Sequence, residues 1–277
     1  MSDTAVGEVR QRIRELLVEV FGGPSFVGKV PDAVSLREAG VPSTALVACW
    51  WRWRTRSASS GTTTSGRRCC GRSTRWRAMS WRCAAEGLAV PAGQAVVRQV
   101  APRTSMATSA VPAPHGPAEQ FAAGRRAAAA ALAAAGSAER TVPRARDGRP
   151  LFPPGFTGSI SHTGRLAAAV VSPGAEAVGV DIESALIPPR VAAFVLREGE
   201  RRRLLAPAGP YTARDLFAAK EAAFKAMNCI GTLGEFLFWQ IGLAQAAGAL
   251  SATYRGETVP LWIGSQADLS FAVAIRR

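Results

Sequence analysis

The stretch Ala177–Glu183 reads AVGVDIE, with the apolar residues Val178, Val180 and Ile182 at alternate positions. A period of two is typical of a β-strand with one buried face. It puts Asp181 and Glu183 together on the opposite face, beside Gly179, which permits close approach of another backbone. Two carboxylates in this arrangement suit a hard cation such as Mg²⁺. A strand face whose carboxylates are simply solvated gives the same pattern.

Downstream, Thr212–Met227 reads TARDLFAAKEAAFKAM and predicts a helix with Thr212 as its N-cap. Glu221 and Lys225 are one helical turn apart and therefore lie on one face. Only three of the 34 basic residues are lysines, and this helix holds two of them. Such use of a scarce residue indicates a need for an ammonium group here, although an i,i+4 Glu–Lys pair is often just a solvated pair.

Upstream of AVGVDIE, the segment SISHTGRLAAAVVS predicts strands around Ile160 and over residues 166–171. An alanine-rich helix is predicted from Glu119, ended by Gly136. Residues 84–117 are rich in Pro, Ser and Ala and predict a linker. Between residues 84 and 157 the pattern offers this helix and a loop but no clear set of strands. Strands and helices of these kinds predict an α+β fold.

Three motifs in order carry a family resemblance: GSISHT at Gly158–Thr163, VGVDIE at Val178–Glu183 and FAAKEAAFKA at Phe217–Ala226. Together they resemble the 4'-phosphopantetheinyl transferase superfamily, in the two-lobed form of the siderophore- and peptide-synthase activators. The resemblance runs over about Glu119–Arg277, so the transferase domain is expected at residues 118–277. It implies an α+β fold of two similar α/β lobes.

The resemblance also implies an activity of the holo-[acyl-carrier-protein] synthase type. Such an enzyme moves the 4'-phosphopantetheine arm of coenzyme A onto a carrier-protein serine and releases adenosine 3',5'-bisphosphate. Mg²⁺ is the implied cofactor, and coenzyme A is the co-substrate. The implied partners are acyl or peptidyl carrier proteins, in cis or in trans.

The resemblance assigns roles to matching residues. Asp181, Glu183 and Glu221 would be the metal ligands, and Glu221 is also the candidate base, acting directly or through a metal-bound water. Lys225 would contact the pyrophosphate, while Lys220 flanks the site. The expected contacts to the coenzyme A 3'-phosphate are Ser161, His162, Arg125 and Arg149. From its sequence position alone, His162 also fits an ordinary turn histidine.

At the N-terminus, residues 1–48 predict a partial helical domain, and Val34–Ala48, VSLREAGVPSTALVA, resembles acyl and peptidyl carrier proteins. Ser43 occupies the position that carries phosphopantetheine in that family. An alternative is that Ser43 is a helix N-cap. If the carrier interpretation holds, the transferase modifies Ser43 of its own chain or a serine of a partner.

The stretch CWWRWRTRSASSGTTTSGRRCC, Cys49–Cys70, has no acidic residue and no binary pattern for a fold. GC-rich codons for residues 49–64, regrouped in another reading frame, can spell LVALEDEVGIEWDDD, a plausible continuation of a carrier helix. Residues 49–83 are therefore interpreted as frame-shifted and disordered. Adjacent cysteines without a nearby histidine argue against a zinc site.

Composition narrows the remaining classes. The 277 residues are 48% hydrophobic, which fits a globular protein. No apolar run approaches the about 18 residues that span a bilayer, and five cysteines do not suggest a secreted disulfide framework. These features predict a cytoplasmic protein without a membrane partner. The net charge of +14 leaves a nucleic-acid-binding protein as one alternative, disfavoured because much of the excess lies in residues 49–83. An inactive interaction module is the other.

Overall fold

The structure, a computed structural model, describes residues 95–146, 148–229, 240–246, 248–266 and 268–277. All of them belong to one compact unit. Several predictions lie outside the described residues: the carrier-like segment 1–48 with Ser43, the frame-shifted stretch 49–83, and the start of the expected linker, residues 84–94.

The described residues form nine strands and four helices. In chain order these are β1 (Ala95–Ala101), β2 (Thr104–Ala110), α1 (Pro117–Ala134), β3 (Phe156–His162), β4 (Leu166–Pro173), β5 (Ala177–Glu183), α2 (Pro189–Val195), α3 (Glu198–Arg203), α4 (Ala213–Cys229), β6 (Gly242–Ala246), β7 (Ala249–Tyr254), β8 (Glu257–Ser265) and β9 (Ser270–Arg276).

Within the described chain, the first four strands make an antiparallel sheet in the order β1-β2-β4-β3. This corrects the linker prediction over residues 95–110, which form the first two strands. It also supplies the strands that the sequence pattern of residues 84–157 did not reveal. The second strand reads TSMATSA, and all but its last residue are buried. Small Ser, Thr and Ala side chains, which are also typical of linkers, here let a helix pack closely on the sheet.

Helix α1 covers one face of this sheet. Its alanines Ala127, Ala128 and Ala131 are fully buried in a cluster with Ala107, Ala169 and Val171. The helix ends as predicted at Gly136, whose φ of 86° is the left-handed conformation that glycine adopts without strain. The N–H of Gly136 bonds to the carbonyl of Ala133, and that of Ser137 to the carbonyl of Leu132, which is the Schellman arrangement.

A second antiparallel sheet in the described residues has the order β5-β9-β8-β7-β6, and helix α4 packs on β5, β9 and β8. The strand predicted at Ala177–Glu183 is β5. Helix α4 begins after Thr212, as predicted. The Thr212 hydroxyl accepts from the Asp215 N–H at 3.2 Å, and the Asp215 carboxylate accepts from the Thr212 N–H at 2.8 Å. This reciprocal cap satisfies free N–H groups at the helix start.

The two sheets share one hydrophobic core. Met106, Ala168 and Val170 from the first sheet lie in the same buried cluster as β5 and β9 residues of the second. The second sheet contributes Val178, Val180, Ile182, Phe271, Val273 and Ile275 to this cluster. Each lobe is therefore a sheet with a helix on one face and the other lobe on its other face. The predicted α+β fold of two α/β lobes is confirmed.

None of the helices in the described ranges combines the length and apolar character needed to cross a membrane.

Gly179 sets the distance between strand β5 and helix α4. A Cβ atom at this position would lie 1.9 Å from the carbonyl oxygen of Ala222 and 2.7 Å from the nitrogen of Ala226, both backbone atoms. We expect Gly179→Ala to lower the free energy of unfolding by about 2 kcal/mol or more, the size typical of overpacking. Urea denaturation followed by circular dichroism measures it.

Gly199→Ala is the matched control, because a Cβ there would meet nothing within 4 Å. It lies inside helix α3, where alanine is favoured over glycine by about 1 kcal/mol. The control should lose no stability. Equal stability of the two variants would show that the close approach at Gly179 is not a constraint.

Candidate active site

Strand β5 and helix α4 bring together the three predicted carboxylates. Asp181 and Glu183 lie on the face of β5 that also carries Gly179, and this face packs against the helix. Asp181 is 4% exposed, Glu183 8% and Glu221 1%. Burial of three carboxylates in one region is costly unless other charges compensate it.

Asp181 is held by two donors. Its Oδ1 accepts a hydrogen bond from the Ser161 hydroxyl at 2.8 Å and from the Lys225 ammonium at 2.6 Å. Its Oδ2 is buried and has no hydrogen-bond partner among the described residues. Lys225 also donates to the carbonyl of Val180 at 2.9 Å and to the Ser161 oxygen at 3.2 Å. The predicted Glu221–Lys225 face is therefore turned toward the strand.

The buried and negatively charged surroundings of Glu183 disfavour the ionised form of its carboxyl group. Burial, and then the negative charges of Asp181 and Glu221, raise the pKa of Glu183 to about 9. The positive charges of Lys225 and Arg214 act in the opposite direction and do not prevail. A carboxyl group with a raised pKa gains from any additional positive charge placed beside it.

The residues present fit a divalent cation in their chemistry. Carboxylate oxygens are the ligands that Mg²⁺ prefers, and the buried Oδ2 of Asp181 needs a partner. In the described part of the chain, no three His, Cys, Asp or Glu side chains already surround a common point as metal ligands. Binding of a cation would therefore have to draw these carboxylates closer together.

Arg214, in the first turn of α4, was missed by the sequence analysis. Its side chain is buried, with Nε donating to the Ser270 hydroxyl at 3.0 Å and Nη2 to the Gln266 carbonyl at 2.8 Å. Ser270 pairs with Glu183 across strands β9 and β5. Arg214 thus places positive charge behind the carboxylates. Because the chain contains many arginines, nothing in the sequence distinguished Arg214 as a residue of the site.

Lys220 has a structural contact rather than a place among the carboxylates. Its ammonium, fully buried, lies 2.8 Å from Glu200 Oε2 and donates to the Val195 carbonyl at 2.8 Å. Glu200 also accepts from the N–H groups of Arg197 and Leu243, each at 2.7 Å. Burial lowers the pKa of Lys220 to about 8, against the opposing charge of Glu200. This ion pair ties α4 to the start of α3 and to β6.

The residues predicted to contact the nucleotide lie on the first lobe. His162 is exposed at the end of β3, and Arg149 is exposed in the loop before that strand. Arg125, on α1, stacks 4.5 Å from the ring centroid of Phe121, and its buried Nε has no hydrogen-bond partner among the described residues. Burial, and then the nearby charge of Arg144, lower the pKa of Arg125. Arg144 was not predicted.

The side chains of Ser161 and His162 lie on opposite faces of β3, although both were predicted to contact the 3'-phosphate. Successive residues of a strand point to opposite faces. Ile160 packs in the cluster under α1, so His162 shares the α1 face of β3. Ser161 instead reaches Asp181 of the second lobe.

Comparison with protein-family models divides the chain at the same place as the two sheets. Residues 109–172 match the 4'-phosphopantetheinyl transferase N-terminal domain, and residues 177–275 match the 4'-phosphopantetheinyl transferase superfamily. Together the two matches cover more than half of the chain. The chain therefore belongs to the 4'-phosphopantetheinyl transferase superfamily.

Two curated relatives are named enterobactin synthase component D. The protein from Salmonella typhimurium is 40% identical over 120 residues, which is 41% of this chain and 50% of the relative. The protein from Salmonella typhi is 41% identical over 120 residues, with the same shares. The chain thus spans about half the length of the curated relatives it matches.

The buried pair of Lys220 and Glu200 gives a stability prediction. Lys220→Met should lower the free energy of unfolding by about 3–5 kcal/mol, because it leaves a buried carboxylate without its counter-charge. Urea denaturation checks this loss.

Glu198→Gln is the control for loss of an ion pair. Glu198 pairs with Arg202 at 3.5 Å, and both side chains are 71% exposed. Exposed pairs contribute little to stability, so this variant should unfold like the unmodified chain. If Lys220→Met unfolds at the same urea concentration as the control, the buried pair does not hold the fold.

Proposed function

We propose that this chain transfers the 4'-phosphopantetheine arm of coenzyme A to a serine of an acyl or peptidyl carrier protein. The observation that carries the proposal is the arrangement of Asp181, Glu183, Glu221 and Lys225 where β5 meets α4. It occurs within the region that matches the superfamily model, residues 177–275. The second product would be adenosine 3',5'-bisphosphate.

The proposed subtype is the holo-[acyl-carrier-protein] synthase type, acting on carriers of siderophore or peptide synthases. The resemblance to activators of such synthases supports this, as does the name of the relatives, enterobactin synthase component D. The carrier serine would belong to a separate protein or to Ser43 of this chain, which lies outside the described residues.

Mg²⁺ is the proposed cofactor, and Asp181 Oδ2, Glu183 and Glu221 are the groups that would hold it. When bound, the ion would neutralise the pyrophosphate of coenzyme A and stabilise the leaving phosphate. Arg214 would keep the local excess of negative charge small enough for the carboxylates to remain buried together.

Glu221 is the proposed base. It would accept the proton of the carrier serine as the serine oxygen bonds to the phosphorus that carries pantetheine. The bond from that phosphorus to the bridging oxygen breaks at the same time, and adenosine 3',5'-bisphosphate leaves with the electron pair. Lys225, already beside Asp181, would donate to a phosphate oxygen and stabilise the developing charge.

The first lobe would hold the nucleotide. Arg125, Arg149 and His162 are the proposed contacts to the 3'-phosphate, and the charge of Arg144 next to Arg125 supports an anion at this position. Burial of the Arg125 Nε with no acceptor among the described residues also fits a ligand that supplies one. Ser161 was expected in this group as well, but its observed partner is Asp181.

The transfer itself is tested by incubating an apo-carrier protein with this chain, coenzyme A and Mg²⁺. The intact mass of the carrier should rise by one phosphopantetheine. Glu221→Gln should slow the initial rate by about 10²-fold or more, because a positioned base typically contributes 10²–10⁴-fold. Mass spectrometry over time gives both rates.

Glu198→Gln is again the matched control, since it makes the same change on the exposed Glu198, and it should leave the rate unchanged. Equal rates for the two variants would remove Glu221 from the mechanism. No mass gain with the unmodified chain across several carriers would overturn the proposed function.

Arg125→Ala tests the nucleotide side. It should raise the KM for coenzyme A by about tenfold or more, the value of a charge-assisted hydrogen bond, with a small effect on kcat. The KM for 3'-dephospho-coenzyme A should not change, because that analogue lacks the phosphate. Arg140→Ala, at an exposed arginine in the loop after α1, is the control. An equal rise for both nucleotides would place Arg125 away from the 3'-phosphate.

A further inference from the structure

We propose that Ser161 is a positioning residue that orients Asp181 for the metal ion and does not contact coenzyme A. This inference deepens the proposed function and rests on it for the role of Asp181. The hydrogen bond between Ser161 and Asp181 joins the two lobes, because Ser161 is on β3 of the first sheet and Asp181 is on β5 of the second.

The geometry of the contact supports this role. The Ser161 side chain is buried, at 7% exposure, and its hydroxyl donates to Asp181 Oδ1 at 2.8 Å. A serine hydroxyl has one proton to donate. While it donates to Asp181, it has none for a phosphate oxygen. Its oxygen is also in use, because it accepts from Lys225 Nζ at 3.2 Å.

The two donors fix the carboxylate of Asp181. Ser161 and Lys225 both bond to Oδ1, from two different elements of the fold. A carboxylate held in this way cannot exchange its two oxygens by rotation without breaking both bonds. Oδ2, buried and without a protein partner in the described residues, is therefore kept as the oxygen available to a cation.

Loss of the Ser161 hydroxyl should weaken the binding of the metal ion and leave the binding of coenzyme A unchanged. Hydrogen-bond partners behind a metal ligand typically contribute about 10–100-fold in metal affinity. A contact to the 3'-phosphate would instead contribute to coenzyme A affinity and to preference over 3'-dephospho-coenzyme A. The two roles of Ser161 therefore predict different measurements.

The experiment uses the full chain and two substitutions of nearly equal volume, Ser161→Thr and Ser161→Val. Binding of Mn²⁺ is measured by electron paramagnetic resonance without coenzyme A. The valine variant should bind Mn²⁺ about tenfold or more weakly than the threonine variant, because threonine keeps the hydroxyl. Thermal unfolding of both variants reports any shared cost of the added carbon atoms.

Ser159→Ala is the control for change on the same strand face. Ser159 is also buried and lies two residues before Ser161, but it is not a donor to Asp181. Its removal should leave Mn²⁺ affinity as in the unmodified chain. In steady-state transfer, Ser161→Val should raise the Mg²⁺ concentration needed for half activity. The ratio of KM values for coenzyme A and 3'-dephospho-coenzyme A should stay unchanged.

Two results would overturn the proposal. One is equal Mn²⁺ affinity of the valine and threonine variants. The other is a loss of preference for coenzyme A over its 3'-dephospho form in the valine variant. The binding measurement needs no carrier, so failure of the unmodified chain to modify carriers would count against the proposed function and not against the role of Ser161.

Discussion

Burial of three carboxylates where strand β5 meets helix α4 is the constraint around which the second lobe is arranged. The close approach of the two elements depends on Gly179, where a side chain would meet the helix backbone. Close approach removes water and raises the cost of negative charge. Lys225 and Arg214 reduce that cost without cancelling it, as the raised pKa of Glu183 indicates. The remaining negative charge is the feature on which the proposed metal site rests.

The two lysines of helix α4 belong to one sequence motif but have different roles in the structure. Lys220 faces Glu200 and holds the helix against α3 and β6, away from solvent. Lys225, 21% exposed along its side chain, reaches the carboxylate that the site presents. Their spacing of five residues places them about 140° apart around the helix. A scarce residue was therefore used twice on one helix for different physical reasons.

In the second lobe, strand β5 and helix α4 were predictable because their signals are local, whereas α2, α3 and β6 to β9 were not predicted. Alternation in AVGVDIE gave a strand with Asp181 and Glu183 on one face, and Thr212 gave a helix start. Strands β1 and β2 were not predicted. The composition of β2, mostly Ser, Thr and Ala, is also that of a linker, whereas β1 reads AVVRQVA and its valines were a strand signal that the linker prediction overlooked. Arg144 and Arg214 act through neighbours that only the fold brings close. The direction of Ser161 depends on which face of β3 meets the second lobe, and a motif does not carry that information. The predictions for residues 1–94 remain predictions.

The shared core has a consequence for how such chains recombine and diverge. Two family models divide the sequence between residues 172 and 177, but the apolar inner faces on either side of that boundary bury each other. A gene exchange at this boundary would join inner faces that had not diversified together, and the mismatch would fall on the core rather than on a linker. The two lobes therefore have to be inherited together for this core to stay packed, although sequence comparison identifies two segments.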